Sequence, residues 1–258
     1  GVDAFGHVEP RVGEGDAMSQ ALEPGGTFAI SRFGTGFAMR TNLGFSQLLN
    51  WPGREERPEH AAALAAVLTA ARLKAPASCE TPPEAVEQIL FHDGPARYLA
   101  FQRSIHRRER MTWQSNVRVA NPAFVYDVRG GELVAPAPTD SWQVTVTRGR
   151  PALYALLPYR VAALAATLPD TATRGRALAG TVQIQAAGSE AAYHAVHVGV
   201  FAPGSTQEHR QYSQNVACPD GQGTFDIPFA LSDKPGAWRI VCRDAGTGVE
   251  TTRKIQLR

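Results

Sequence analysis

Asp93, Asp127, Glu132 and Asp140 have the best claim to chemistry in this chain, because glycosidic bond cleavage needs two carboxylates about 5–10 Å apart, one acting as general acid. Each of the four lies in or beside a predicted turn, where Asp and Glu ordinarily cap or solvate the bend. Asp127, in Tyr126-Asp-Val-Arg129, is embedded in a strand, and alternation puts it on one face with Arg129, as in a solvated cross-strand pair. The 7 histidines form no metal pattern. His194 and His197, three apart in a strand segment, fall on opposite faces. No serine sits in a Gly-x-Ser-x-Gly elbow. Gly34-Thr-Gly36 has strand on both sides and no Lys-Ser/Thr pair after it, so it reads as hairpin glycines and not as a phosphate loop. No catalytic residue, cofactor-binding residue or metal ligand is assigned, and no cofactor is expected.

Aromatic residues offer a different chemistry. Tyr98, Phe101, Trp113, Tyr126, Trp142 and Tyr154 all fall on predicted strands, and exposed rings there would stack on sugars while buried ones would pack a core. Trp113, Trp142 and Tyr126 are the carbohydrate-contact candidates. The 3 cysteines, Cys79, Cys218 and Cys242, are odd in number and share no metal-like spacing. Cys242 alternates with Trp238 and Ile240 on what should be a buried face, and a Cys218–Cys242 disulfide is left open.

The elements that would position these residues follow from pattern. A chain of 258 residues has room for two or three domains. Its 26 basic and 24 acidic side chains are spread evenly, so no segment offers a phosphate-binding field and nucleic acid is not an expected partner. No apolar run is long enough to span a membrane as a helix. The chain opens Gly1-Val-Asp without an initiator Met or signal segment, which reads as a processed chain or a fragment.

In the first 76 residues, apolar segments flank Gly34-Thr-Gly36 as a hairpin. Residues 55–75 read as a helix, with Pro58 and three glutamates near its start and Leu64, Val67, Leu68 and Ala71 as its buried stripe. The expectation is a partial α/β layer over 1–76. A Pro-rich linker follows, and residues 84–169 carry short alternating strands with turns at Asp93-Gly94, Gly130-Gly131 and Arg148-Gly-Arg150, an antiparallel β-sandwich. Tyr159–Leu168 is ambiguous between helix and strand and is assigned as the last strand of that sandwich. Residues 175–258 give six or seven strands between turns such as Pro219-Asp-Gly221, the size of an immunoglobulin-like sandwich. The fold class is therefore mainly β: a partial α/β (flavodoxin-like) layer and then two antiparallel β-sandwiches, the last immunoglobulin-like.

Phe28-Ala-Ile-Ser-Arg-Phe-Gly-Thr-Gly-Phe-Ala-Met-Arg-Thr-Asn-Leu-Gly-Phe45 resembles the late hairpin of the trimerisation domain behind the catalytic barrel of family 42 β-galactosidases. Val125-Tyr-Asp-Val-Arg-Gly-Gly-Glu-Leu133 and Ala152-Leu-Tyr-Ala-Leu-Leu-Pro158 look like the β-sandwich appended to such enzymes. His197–Gly204, Tyr212–Asn215 and Gly236–Ile240 are similar to macroglobulin-like or fibronectin-like modules of bacterial surface and secreted proteins. The resemblance implies the non-catalytic accessory or assembly region of a glycoside hydrolase whose catalytic glutamates lie in a barrel outside this chain. It implies an upstream catalytic domain as partner and a secreted or periplasmic setting. A homo-oligomer and a polysaccharide partner stay open, and the alternative reading is a carbohydrate-binding or structural module of a secreted or surface protein.

Overall fold

The structure, a computed structural model, describes residues 28–33, 36–41, 75–81, 86–103 and 112–258. The chain divides into two compact units, Gly1–Ala75 and Pro76–Arg258. In the first, β1 (Phe28–Phe33) and β2 (Gly36–Thr41) pair antiparallel, with Phe33 opposite Gly36, as the flanking glycines predict. The expected helix over 55–75 lies outside the described residues, apart from its terminal Ala75. The partial α/β (flavodoxin-like) layer is not supported. Such a layer is built on parallel strands covered by helices, whereas the two strands described here are antiparallel and no described residue is helical.

The second unit begins with β3 (Ser78–Cys79), β4 (Val86–Asp93), β5 (Ala96–Arg103), β6 (Thr112–Asp127), β7 (Glu132–Leu133), β8 (Thr139–Thr147) and β9 (Ala152–Leu157). The β4–β5 hairpin turns at Gly94, whose φ of 56° suits the residue that follows Asp93 there. Strand β6 carries the architecture. Its first half pairs with β8, its last four residues pair with β9, and the register breaks between Arg118 and Ala123, where Pro122 can give no ladder hydrogen bond. The seven strands thus fold over a core that includes Leu99, Phe101, Trp113, Val117, Val125, Val144, Val146, Tyr154 and Leu156.

Strands β10 (Arg160–Thr167), β11 (Thr171–Ala172), β12 (Ala177–Ala187), β13 (His194–Phe201), β14 (Gln214–Cys218), β15 (Gln222–Pro228), β16 (Gly236–Asp244) and β17 (Glu250–Leu257) complete the unit. They make two sheets, ordered β10-β12-β15 and β11-β17-β16-β13-β14. The chain's alternation between them is immunoglobulin-like. Tyr159–Leu168, expected to end the preceding sandwich, instead supplies β10, which pairs with β12 and opens the last one. Alternation along β12 is strict, with Leu178, Gly180, Val182 and Ile184 inward. The core is filled by Phe225, Ile227, Phe229, Trp238 and Ile240. Cys218 and Cys242 are both buried and free. They do not pair: β13 runs between their strands, with Cys218 opposite its His194 and Cys242 opposite its Val198.

One strand explains a run that alternation does not. Tyr154-Ala-Leu-Leu157 in β9 is buried at every position. Tyr154 and Leu156 face the first core, while Ala155 and Leu157 belong to the core of the last sandwich, together with Ala96 and Tyr126. A sheet covered on both faces reads as continuous apolar sequence, and β9 belongs to a wall shared by the two sandwiches.

Candidate functional site

Two of the four carboxylates singled out by type, Asp127 and Asp140, go to structural tasks, and Asp93 and Glu132 pair through their backbone. Asp127 Oδ1 accepts the backbone N–H groups of Arg129 (2.9 Å) and Gly130 (3.0 Å), so the side chain caps its own turn in place of pairing with Arg129. Asp140 meets Arg118 across β6 and β8 at 3.2 Å, on an exposed face. Asp93 closes the β4–β5 hairpin, and Glu132 pairs with Asp127 through the backbone of β6 and β7. Among the described residues no group of three or more His, Cys, Asp or Glu is placed to hold a metal, and no helix is long and apolar enough to cross a membrane.

The sugar-stacking candidates point inward. Trp113 and Trp142 are each 5% exposed and Tyr126 is 2% exposed. Trp113 stacks on Phe101 at 6.2 Å between ring centroids, and Trp142 meets the edge of Tyr154 at 5.4 Å. Tyr126 turns its hydroxyl to the backbone N–H of Val161, 2.9 Å away. Their ring faces are occupied by neighbouring side chains, which leaves no platform for a sugar.

The constellation that the fold does assemble was not visible in the sequence. His194 begins β13 and Asp244 ends β16, fifty positions later. They are 3% and 0% exposed, and His194 Nδ1 lies 3.0 Å from Asp244 Oδ1. On its other side, Nε2 lies 2.9 Å from the hydroxyl of Tyr159, in the link between β9 and β10. That hydroxyl also accepts the N–H of Ala192 at 2.8 Å. Asp244 Oδ2 accepts both the backbone N–H, at 3.1 Å, and the hydroxyl of Thr247.

Donor counting assigns the protons. Tyr159 already accepts from Ala192, so its own hydrogen is free to point at His194 Nε2. The imidazole is then neutral with hydrogen on Nδ1, donated to the Asp244 carboxylate. Tyrosine, histidine and aspartate in series have the form of a proton relay, and Cys218 stands directly opposite His194 on β14. Nucleophilic catalysis needs more than this. Both ring nitrogens are engaged, Cys218 is fully buried, and burial reinforced by Asp244 pushes its thiol up, away from the reactive thiolate. The arrangement satisfies buried polar groups and fastens three chain segments together.

Those segments form the joint between the sandwiches. Besides the Tyr126–Val161 hydrogen bond and the shared apolar wall, the turn at Gly131 touches the turn at Gly248 backbone to backbone. Tyr98 reaches the same region, and burial, with the Asp244 charge next, pushes its hydroxyl up to about 12. Tyr154 is likewise pushed up to about 12, first by burial and then by Asp127. The folded state therefore holds these two protons more tightly than the unfolded chain, where tyrosine titrates near 10. Their contribution to stability is fully present below pH about 10 and is lost as pH rises from there through about 12. Phenolate absorbance followed alongside circular dichroism should show Tyr98 and Tyr154 ionising only as the fold melts, and burial pushes the hydroxyls of Tyr126, Tyr159 and Tyr212 in the same direction. Ionisation of Tyr98 and Tyr154 near pH 10 with the β signal intact would contradict it.

No protein-family model matches the sequence, and no curated protein matches it. Solved structures give low-scoring likenesses. A β-glucosidase from Listeria innocua is 15% identical with a TM-score of 0.28, over 37% of this chain and 16% of that one. Salmonella α-2-macroglobulin is 11% identical with a TM-score of 0.30, over 63% of this chain and 18% of that one. A superoxide reductase from Ignicoccus hospitalis is 14% identical with a TM-score of 0.29, over 39% and 82%. The chain thus spans less than a fifth of the glucosidase and the macroglobulin, and likenesses at this level establish neither a shared fold nor a shared activity.

Proposed function

We propose that this chain is a non-catalytic accessory region in which two β-sandwiches act as one rigid spacer. The observation that carries this reading is the joint: the core of the last sandwich takes in Ala96, Tyr126, Ala155 and Leu157 of the first, the buried Tyr159–His194–Asp244 chain adds a polar link, and residues 76–258 form one compact unit. Domains that merely follow one another in a chain meet through smaller, more polar interfaces and move. The finer reading is that the spacer serves a β-galactosidase-like glycoside hydrolase, its partner being that protein's catalytic domain. Its support is the resemblance of Val125–Leu133 and Ala152–Pro158 to appended sandwiches, with the turn-capping role of Asp127.

Two measurements test the two halves of the proposal. The full chain should release nitrophenol from aryl-galactosides no faster than buffer, and turnover well above that background would sink the accessory reading. Spin labels at Gln114→Cys and Thr252→Cys, exposed positions on the two sandwiches, in a Cys79→Ser background, should give one narrow distance distribution. A broad distribution would mean a hinge and would remove the spacer.

A further inference from the structure

The last sandwich has a seam where its two sheets meet edge to edge. β15 ends the three-stranded sheet and β14 ends the five-stranded one. No ladder joins them, and a side chain bridges the gap: Gln214 Nε2 donates to the carbonyl of Asp226 at 2.8 Å. Gly223 permits the approach, since a Cβ there would lie 2.6 Å from Val216 Cγ1 and 2.8 Å from Cys218 Sγ.

Along this seam opens a groove of about 620 Å³, a size in the range of small-ligand sites. Its polar lining is Thr181, Gln183, Gln214, Asn215, Gln222 and Thr224, with Val182, Val216, Ala217 and Gly223 between them. No charged or aromatic side chain lines it. One lining amide is held in place from behind. Asn215 Oδ1 lies 2.8 Å from His197 Nδ1, and the Nε2 of that ring lies 3.2 Å from both carboxylate oxygens of Glu208. With one end of its amide engaged on His197, Asn215 holds the other end, NH₂ or oxygen according to the protonation of the ring, in a fixed direction, the kind of support that a binding group needs.

From this lining we infer that the groove binds an uncharged oligosaccharide segment of two or three sugar rings. An uncharged lining gives no counter-charge to a phosphate, a carboxylate or a cation. Carboxamides and hydroxyls both donate and accept, as sugar hydroxyls do. A peptide strand would need pockets for alternate side chains, and the small residues between the polar ones offer none. Without a stacking ring the hold is by hydrogen bonds alone, so affinity is weak and depends on each amide. The inference deepens the accessory reading, giving the spacer a contact with the glycan that its parent enzyme would act on.

The test is a ¹⁵N-detected titration of the full chain with cellotriose, β-1,4-galactotriose and, as the contrasting probe, a neutral Ser/Gly/Asn hexapeptide. A saturable shift of the side-chain amides of Gln183, Gln214, Asn215 and Gln222 with either trisaccharide is the expected result. Gln183→Ala and Gln222→Ala alter exposed strand positions, and each should weaken binding about tenfold while leaving the remaining spectrum in place. Glu208→Gln should weaken it less, by freeing the His197–Asn215 pair. Response to the hexapeptide alone, shifts confined to other surfaces, or no shift with either sugar would each overturn the inference. Failure here would leave the rigid spacer standing, whereas galactoside turnover by the chain would remove the accessory reading whatever the groove binds.

Discussion

Replacing Asp244 with alanine is expected to lower the stability of the 76–258 unit by about 3–5 kcal/mol, the combined effect of leaving three buried donors without their acceptor. The carboxylate is fully buried and accepts from three donors: His194 Nδ1, the Thr247 amide and the Thr247 hydroxyl. Alanine leaves all three without an acceptor where water does not reach, and an unmet buried donor costs about 1–3 kcal/mol. The residue also shapes its own turn, through Gly248 N–H to the Asp244 carbonyl at 2.9 Å and Asp244 N–H to the Val249 carbonyl at 2.9 Å. Urea unfolding should show a lower midpoint with an unchanged slope. A midpoint like that of the unaltered chain would mean that the network is ornamental and that the joint is held by apolar contact alone.

Asp244→Asn separates geometry from charge. Asparagine fits the space but carries an NH₂ group toward one set of donors. If that group faces His194, the imidazole must take its hydrogen on Nε2 and donate to Tyr159, whose oxygen already accepts from Ala192. The tyrosine hydrogen is then left without an acceptor. One misplaced proton is displaced down the series but not removed, so the loss should be about 1–3 kcal/mol, smaller than for alanine. An asparagine variant as unstable as the alanine one would show that the negative charge, and not the hydrogen-bond pattern, holds the joint.

The strands of the last sandwich were legible because one face is buried and the other wet. Residues 177–187 alternate throughout, and turn signals such as Pro219-Asp-Gly221 fix where strands end. The placement of Cys242 behind Trp238 and Ile240 followed from the same period, as did the opposite faces of His194 and His197. Tyr159–Leu168 was harder, because Ala and Leu favour helix and only its pairing with β12, twenty residues on, makes it a strand. The burial of the aromatic candidates was hidden for a related reason: pattern tells that Trp113 and Trp142 share a face with valines, but whether that face is a core or a platform depends on which sheet covers it. The joint was least legible of all. Tyr159, His194 and Asp244 come from three separate segments, and no local spacing links them. The one trace in the sequence is the Asp244-Ala-Gly-Thr-Gly248 turn, whose Asp and Thr suggest a side-chain-closed bend.

The second large effect should come from Gly248→Ala, and it can be measured against an internal control. Gly248 has a φ of 75°, a conformation that costs an L-residue about 1–2 kcal/mol. A Cβ there would also overlap the Cα of Gly131 and lie 2.5 Å from its carbonyl oxygen. Gly131 has a φ of 69°, so two left-handed glycines face each other across the joint. Backbone on both sides means that no rotamer change can relieve the overlap, and one of the two turns must move. Moving the 244–249 turn disturbs Asp244 and its donors; moving the 128–131 turn pulls on the shared wall through Tyr126. The expected loss is about 3–5 kcal/mol, at the upper end for a single substitution. Gly94→Ala supplies the comparison: its φ of 56° imposes the same kind of backbone cost, yet nothing lies within 4 Å of the new Cβ. It should lose only about 1–2 kcal/mol. The difference between the two variants therefore isolates the overlap at the joint. Spin-label distances between the sandwiches should broaden in Gly248→Ala and stay narrow in Gly94→Ala. Equal losses in the two, with both distributions narrow, would show that the Gly131–Gly248 approach contributes nothing beyond the two turns themselves.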